Sequence, residues 1–291
     1  MRLGSLVAGL LAALGLLASC SQSPDQPPPS PALWEISGSG GQHGYLFGTV
    51  HSLPEGTEWR TDKFDKAFAA AEVLVVEVAG LTDPMAMRVT FTRLATTPGQ
   101  LPLAQRVSPP ESGLVERVMA EHGLRDADFA SMESWAAALT LSQLADEDED
   151  ANGVDRQLLE AAGHKKIVEL EGVEAQLGVF DGLPEKEQGD LLAAVAAELL
   201  AVEADENDRL DAWLTGDLGA LAAETGTGLL ADPELREILL VRRNQDWAGK
   251  IGALLKGGTT IFVAVGAAHA VGPEGLPALL AQRGYTVSRI Q

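Results

Sequence analysis

Two apolar runs far apart in the chain end in the same short pattern. Tyr45-Leu46-Phe47 leads into Gly48-Thr49-Val50-His51, and Ile261-Phe262-Val263-Ala264-Val265 leads into Gly266-Ala267-Ala268-His269. A continuous apolar run is the mark of a strand buried on both faces, and in open α/β sheets ligands gather outside the carboxyl ends of such strands. Each histidine falls where a buried strand would end, so the pair could share one metal ion. Either one alone would read as a core or cap histidine satisfied by backbone groups. Glycine three residues earlier removes a side chain and lets the backbone bend where two strand ends must converge.

The remaining strand patterns lie toward the same two ends of the chain. Residues 33–37 and 45–50 flank Gly38-Ser39-Gly40-Gly41-Gln42-His43-Gly44, which predicts a β-hairpin opening the domain. Phe64, Ala67, Phe68 and Ala71 line one face of a helix, and residues 72–78 follow as an apolar, β-branched strand that ends on Glu77. Helical spacing or composition then covers residues 111–122, 134–145, 154–162, 186–204, 206–215 and 233–255, with a strand at 165–170. Residues 259–265 form the clearest strand, and 273–283 and 285–290 close the chain as helix and strand. The expected architecture is α/β (α+β): a single domain whose central mixed sheet is built from the N- and C-terminal parts, with a large helical insertion between them.

The chain begins with Arg2, an apolar stretch at residues 6–17, and then Leu17-Ala18-Ser19-Cys20, followed by a polar, proline-rich segment. The apolar stretch is too short for an ordinary membrane span, and the small residues before Cys20 fit a peptidase cleft. Residues 1–19 read as a lipoprotein signal peptide and Cys20 as the lipidation site. Residues 20–31 read as a Pro-rich tether and 32–291 as the folded domain. Cys20 is the only cysteine, so an intramolecular disulfide is excluded. Ser21 rather than Asp after the cysteine resembles the sorting pattern of lipoproteins sent to the outer membrane. The expected location is the bacterial cell envelope, lipid-anchored and facing the periplasm. Without residues 1–19 the chain keeps 20 basic residues against 42 acidic ones, a balance that makes nucleic acid an unsuitable partner.

Around the two histidines, Glu77 is the carboxylate expected to join them, because a charge after Val73-Leu74-Val75-Val76 is costly unless paired or metal-bound. Its competing role is an ion pair with Arg243. Imidazole nitrogen with carboxylate oxygen suits several divalent ions, Mn, Co or Zn among them. Glu171 could reach the same crevice and act as general base on an activated water, whereas Glu174 reads as a helix cap. Arg243 could stabilise oxyanion charge. Asp148-Glu149-Asp150-Ala151-Asn152-Gly153 begins like a calcium loop, but Leu159 stands where the twelfth position needs a bidentate Glu. His43, His122 and His164 read as surface residues, and Trp135, Trp213 and Trp247 as core. Neither a nucleophile elbow nor a Gly-rich phosphate loop is present, which leaves metal-assisted chemistry as the leading enzyme class.

Together, Leu33-Trp34-Glu35-Ile36, Tyr45 to His51, Leu74-Val75-Val76-Glu77-Val78, Gly153-Val154-Asp155, Glu171 to Gln176, Arg243-Asn244 and Val265 to His269 resemble the TraB/GumN family. The paired Gly-x-x-His motifs are also those of the Tiki metalloproteases, and the wider group is similar to erythromycin esterases and haem-binding ChaN lipoproteins. The resemblance places His51, His269 and Glu77 on metal and catalytic positions and matches Arg243 and Asn244 to a further shared motif. It implies a metal-dependent hydrolase, a peptidase acting on a peptide or protein, with no cofactor besides the ion. The alternatives are a non-enzymatic periplasmic lipoprotein binding a peptide or haem in the same cleft and, least favoured, a purely structural envelope protein.

Overall fold

The computed structural model describes residues 28–80, 84–144, 153–201 and 204–291. The signal segment, Cys20, most of the tether and nearly all of the calcium-like loop lie outside them. The chain runs β1 (Leu33–Ser37), β2 (His43–Thr49), α1 (Asp62–Ala70), β3 (Val73–Val76), α2 (Pro84–Ala95), α3 (Ser112–Glu121), α4 (Ser134–Ser142), α5 (Val154–Glu160) and β4 (Lys166–Glu169). It continues through α6 (Val173–Asp181), α7 (Glu185–Leu200), α8 (Ala204–Thr215), α9 (Leu218–Glu224), α10 (Pro233–Arg236), α11 (Arg242–Leu255), β5 (Ile261–Gly266), α12 (Leu276–Gln282) and β6 (Thr286–Arg289).

The six strands form one mixed sheet in the order β4-β3-β5-β2-β1-β6. β1 and β2 make the expected antiparallel hairpin, and β6 pairs antiparallel with β1. β5, from the far end of the sequence, inserts between β2 and β3 and runs parallel to both. That placement brings three carboxyl ends side by side, those carrying His51, the His269 turn and Glu77. The domain is thus the single mixed α/β unit that the distribution of strand patterns implies.

Alternate residues of the inner strands point to opposite faces, and both faces are covered. Leu33, Phe47 and Phe262 pack with Phe64, Phe68 and Trp213 on one side. Ile36, Leu46 and Val263 pack with Trp247, Ile251 and Leu276 on the other. This two-sided burial explains the unbroken apolar runs. A further cluster, including Trp135, Leu141, Leu192 and Leu235, gives the helical insertion its own core. The segment expected as one helix over 233–255 is instead α10, a π turn at Glu237–Val241 and α11. The wider turn comes immediately before Arg243, and π bulges often mark functional positions in helices.

Candidate functional site

The two motif glycines serve different steric needs. A Cβ at Gly48 would stand 3.2 Å from Ala267 Cα, so glycine lets the first motif approach the second. A Cβ at Gly266 would lie 3.4 Å from Glu77 Oε1, 3.8 Å from His269 Cδ2 and 3.9 Å from His51 Nε2. Glycine there leaves a small cradle toward which all three expected metal-binding side chains converge.

The hydrogen bonds fix how each histidine faces that cradle. Asn244, fully buried at the start of α11, donates from Nδ2 to the Glu274 carbonyl at 2.8 Å, which turns its Oδ1 toward His269 Nδ1 at 2.6 Å. An amide oxygen only accepts, so His269 carries its proton on Nδ1 and presents a lone pair at Nε2. Burial lowers the His269 pKa to about 4, leaving the imidazole neutral and able to ligate at neutral pH. His51 Nδ1 meets Asp155 Oδ2 at 2.8 Å, and Asp155 Oδ1 accepts from Thr49 Oγ1 at 2.6 Å. Each ring is therefore oriented through Nδ1 by a polar partner and aims Nε2 inward, the arrangement that supports metal-bound histidines.

Asp155 stands in one of the family-like motifs, where the sequence gives it no role of its own. It is positioned by contacts between the insertion and the first motif: Val154 N donates to the Val50 carbonyl at 2.9 Å, and any Cβ at Gly153 would fall 2.1 Å from the His51 carbonyl oxygen. Of the two motif histidines only His269 is buried. The His51 side chain keeps 74 % of its surface exposed. Its hydrogen bond to Asp155, followed by that group's negative charge, raises its pKa to about 9.

Carboxylates and a guanidinium close the other side. Glu77 Oε1 accepts from Gly266 N at 2.7 Å, while Oε2 accepts from Arg243 Nη2 at 3.1 Å and Gln176 Nε2 at 3.3 Å. The expected Glu77–Arg243 ion pair is thus present within the candidate site. Glu171 reaches the crevice but lacks the freedom expected of a general base. Arg243 binds it bidentately at 2.9 and 3.0 Å, Trp247 Nε1 donates to it at 3.0 Å, and its side chain is only 8 % exposed. Arg243 lies over the Trp247 ring and places Nη1 3.4 Å from His269 Nε2. Trp247, expected only as core, therefore also contacts the site. Glu174 does not cap α6. Gly172 holds that position with positive φ, and Glu174 pairs with Arg93.

Among the described residues, no three His, Cys, Asp or Glu side chains already form a metal-binding cluster. The donor chemistry nevertheless fits a divalent ion: two imidazoles, each held through Nδ1, and a Glu77 oxygen with spare acceptor capacity stand around the Gly266 backbone.

The two histidines also predict opposite pH limits on folding. Folded His269 remains neutral down to about pH 4, whereas an unfolded histidine takes up a proton below roughly 6.5. Its contribution is present above 6.5 and falls as pH drops toward 4, a loss on the order of 3 kcal/mol. His51, whose folded pKa is about 9, stabilises fully below 6.5 and loses that contribution as pH rises through 9. Urea midpoints should decline on both sides, and Asp155→Asn should flatten the alkaline decline. An unchanged alkaline limb in that variant would contradict the assignment.

No solved structure matches the chain. It is 26 % identical over 264 residues to uncharacterized protein YbaP of Shigella flexneri, covering 84 % of this chain and 90 % of that relative. The YbaP protein of Escherichia coli K12, likewise named as uncharacterized, shares the same identity and coverage. The sequence pattern of the TraB/PrgY/gumN family matches residues 32–289, from the residue before the hairpin to the end of β6, and the chain belongs to that family.

Proposed function

We propose that this protein is a metal-dependent hydrolase of the bacterial cell envelope that cuts a peptide or protein and is anchored through a lipidated Cys20. The observation that carries the reading is the Gly266 cradle, against which His51 Nε2, the Cδ2 edge of the His269 ring and Glu77 Oε1 all stand. A divalent ion such as Mn, Co or Zn would supply Lewis acidity and lower the pKa of a bound water.

The chain's own groups divide the remaining work. His51 and His269 orient their donors through Asp155 and Asn244. Glu77 offers an oxygen to hold the ion or accept the proton of the attacking water. Arg243 directs Nη1 toward His269, from where it can stabilise negative charge developing on a carbonyl oxygen. Glu171 and Trp247 position Arg243. One observation favours a second reading, a lipoprotein that binds a peptide without cutting it: Arg243 already neutralises Glu77, and His51 adds another positive charge that would suit a peptide carboxylate.

Elemental analysis of protein purified without chelator or affinity metal decides between them. Wild type should carry one divalent ion per chain, natively or after Mn, Co or Zn is restored, and His51→Ala and His269→Ala should each lose it while keeping a cooperative melt. Loading should release a proton from His51 and weaken sharply below neutral pH. A peptide-library cleavage screen then uses the ion found. Full metal retention in a folded variant, or no uptake by wild type, would leave peptide binding as the better reading.

A further inference from the structure

The folded domain is entered at the same end of the sheet as the candidate site. β1 is antiparallel to β2, and its first residue, Leu33, lies opposite Phe47, one position before the Gly48 motif. The preceding residues are fastened there. Ser30 N donates to the Leu214 carbonyl at 2.6 Å, and Gln291 Nε2 donates to the Pro31 carbonyl at 2.9 Å. Ala32 shares one small void with Gly48 and Ala267, a residue from each Gly-x-x-His motif. β1 is two strands from β5, so the point where the tether joins the domain is laterally only about 10 Å from the strand that carries Gly266.

Covalent geometry limits how far that point can stand from an anchored Cys20. The eight residue steps from Cys20 to Pro28 span at most about 29 Å even when fully extended. A compact domain of this size is roughly 45 Å across, so the tether is shorter than the body it holds. Two exposed apolar groups stand on the helix that comes after β3 in the chain. α2 follows the carboxyl end of β3, and its Met85 and Val89 are 60 % and 61 % exposed. Their i and i+4 spacing places them one above the other on the helix.

We propose that the cleft end of the sheet faces the bilayer and that the cleft receives polypeptide segments carried close to the membrane surface. The orientation rests on the lipid-anchor reading of Cys20 and holds whether the cleft hydrolyses its guest or only binds it. The tether sets the distance.

Energy transfer on vesicles tests this orientation without requiring catalysis. Full-length lipidated protein is labelled at Glu55→Cys, in the exposed loop after His51, or at Lys256→Cys, exposed before β5 at the opposite end. Cys20 is the only native cysteine and is blocked by its lipid, so each variant carries one dye. On phosphatidylcholine vesicles bearing an acceptor on the lipid headgroup, transfer should be clearly stronger from position 55 than from 256. A 30-residue Gly/Ser insertion between Pro24 and Asp25 should reduce that difference to near zero. Equal transfer from both positions, or stronger transfer from 256, overturns the orientation. Mass analysis of Cys20 separately tests the anchor, and an unmodified Cys20 without vesicle association overturns the proposal at its base. Failure of peptide cleavage leaves the expected transfer difference intact.

Discussion

Replacing Arg243 with methionine is expected to cost about 3–5 kcal/mol, a large share of the stability of an ordinary domain. The guanidinium and its two carboxylate partners have side chains only 8–12 % exposed. Methionine preserves much of the apolar stem but leaves Glu77 and Glu171 charged, buried and without their principal counterion. Adding a proton to either carboxylate removes the cost of holding it charged, buried and unpaired. The deficit relative to wild type should therefore shrink on acidification. Lysine should recover only part of the loss, because it cannot reproduce the bidentate contact with Glu171. Denaturant titrations of wild type, Arg243→Met and Arg243→Lys at neutral and mildly acidic pH check this. A methionine penalty below about 1 kcal/mol would show that the pair is solvated and would remove Arg243 as the site's organising charge.

Much of the fold was legible because burial on both faces leaves a local record. Residues 33–37, 45–50 and 259–265 read as apolar strands, and their clustering at the chain ends required those ends to meet. Local patterns were less informative in the insertion. α2 carries Met85 and Val89 on its outside, and α6 has no fully buried residue, so neither presents the apolar stripe that betrays a helix. In the site, His51, His269 and the pair Glu77–Arg243 were visible, but the groups that orient the two histidines were not. Asp155 is 104 positions from His51 and Asn244 is 25 from His269, separations that carry no periodic signal. Glu171 looked available as a base because it follows directly on the strand expected at 165–170, whereas Arg243 and Trp247, more than 70 residues later, occupy both of its oxygens. Trp247 was read as core from its Ala- and Leu-rich helix. Its burial confirms that packing role, while its indole nitrogen also holds Glu171 and its ring lies 4.4 Å from the His269 ring.

The most discriminating substitution at the proposed centre adds one methyl group. Gly266 has φ −50° and ψ 139°, a conformation open to any L-residue, so alanine introduces no left-handed strain. Its Cβ would meet Glu77, His269 and His51 at 3.4–3.9 Å, ordinary contact distances that leave the surrounding packing in place. Removing backbone freedom from the unfolded chain should make Gly266→Ala neutral or stabilising by up to about 1 kcal/mol. The same methyl occupies the position toward which the three donors converge, where ligands must close to about 2 Å from an ion. Metal affinity should therefore fall by at least about 100-fold, roughly the 2.7 kcal/mol that two decades represent, while the melting temperature is retained or rises. Calorimetric titration with Mn, Co and Zn, paired with thermal melts, measures the two effects independently. A folded alanine variant that binds metal like wild type would put the ion elsewhere and remove the cradle from the mechanism. Loss of both fold and metal would show that Gly266 is needed for sheet packing. Retained folding with lost binding is the outcome that assigns the second Gly-x-x-His motif a chemical reason for its glycine.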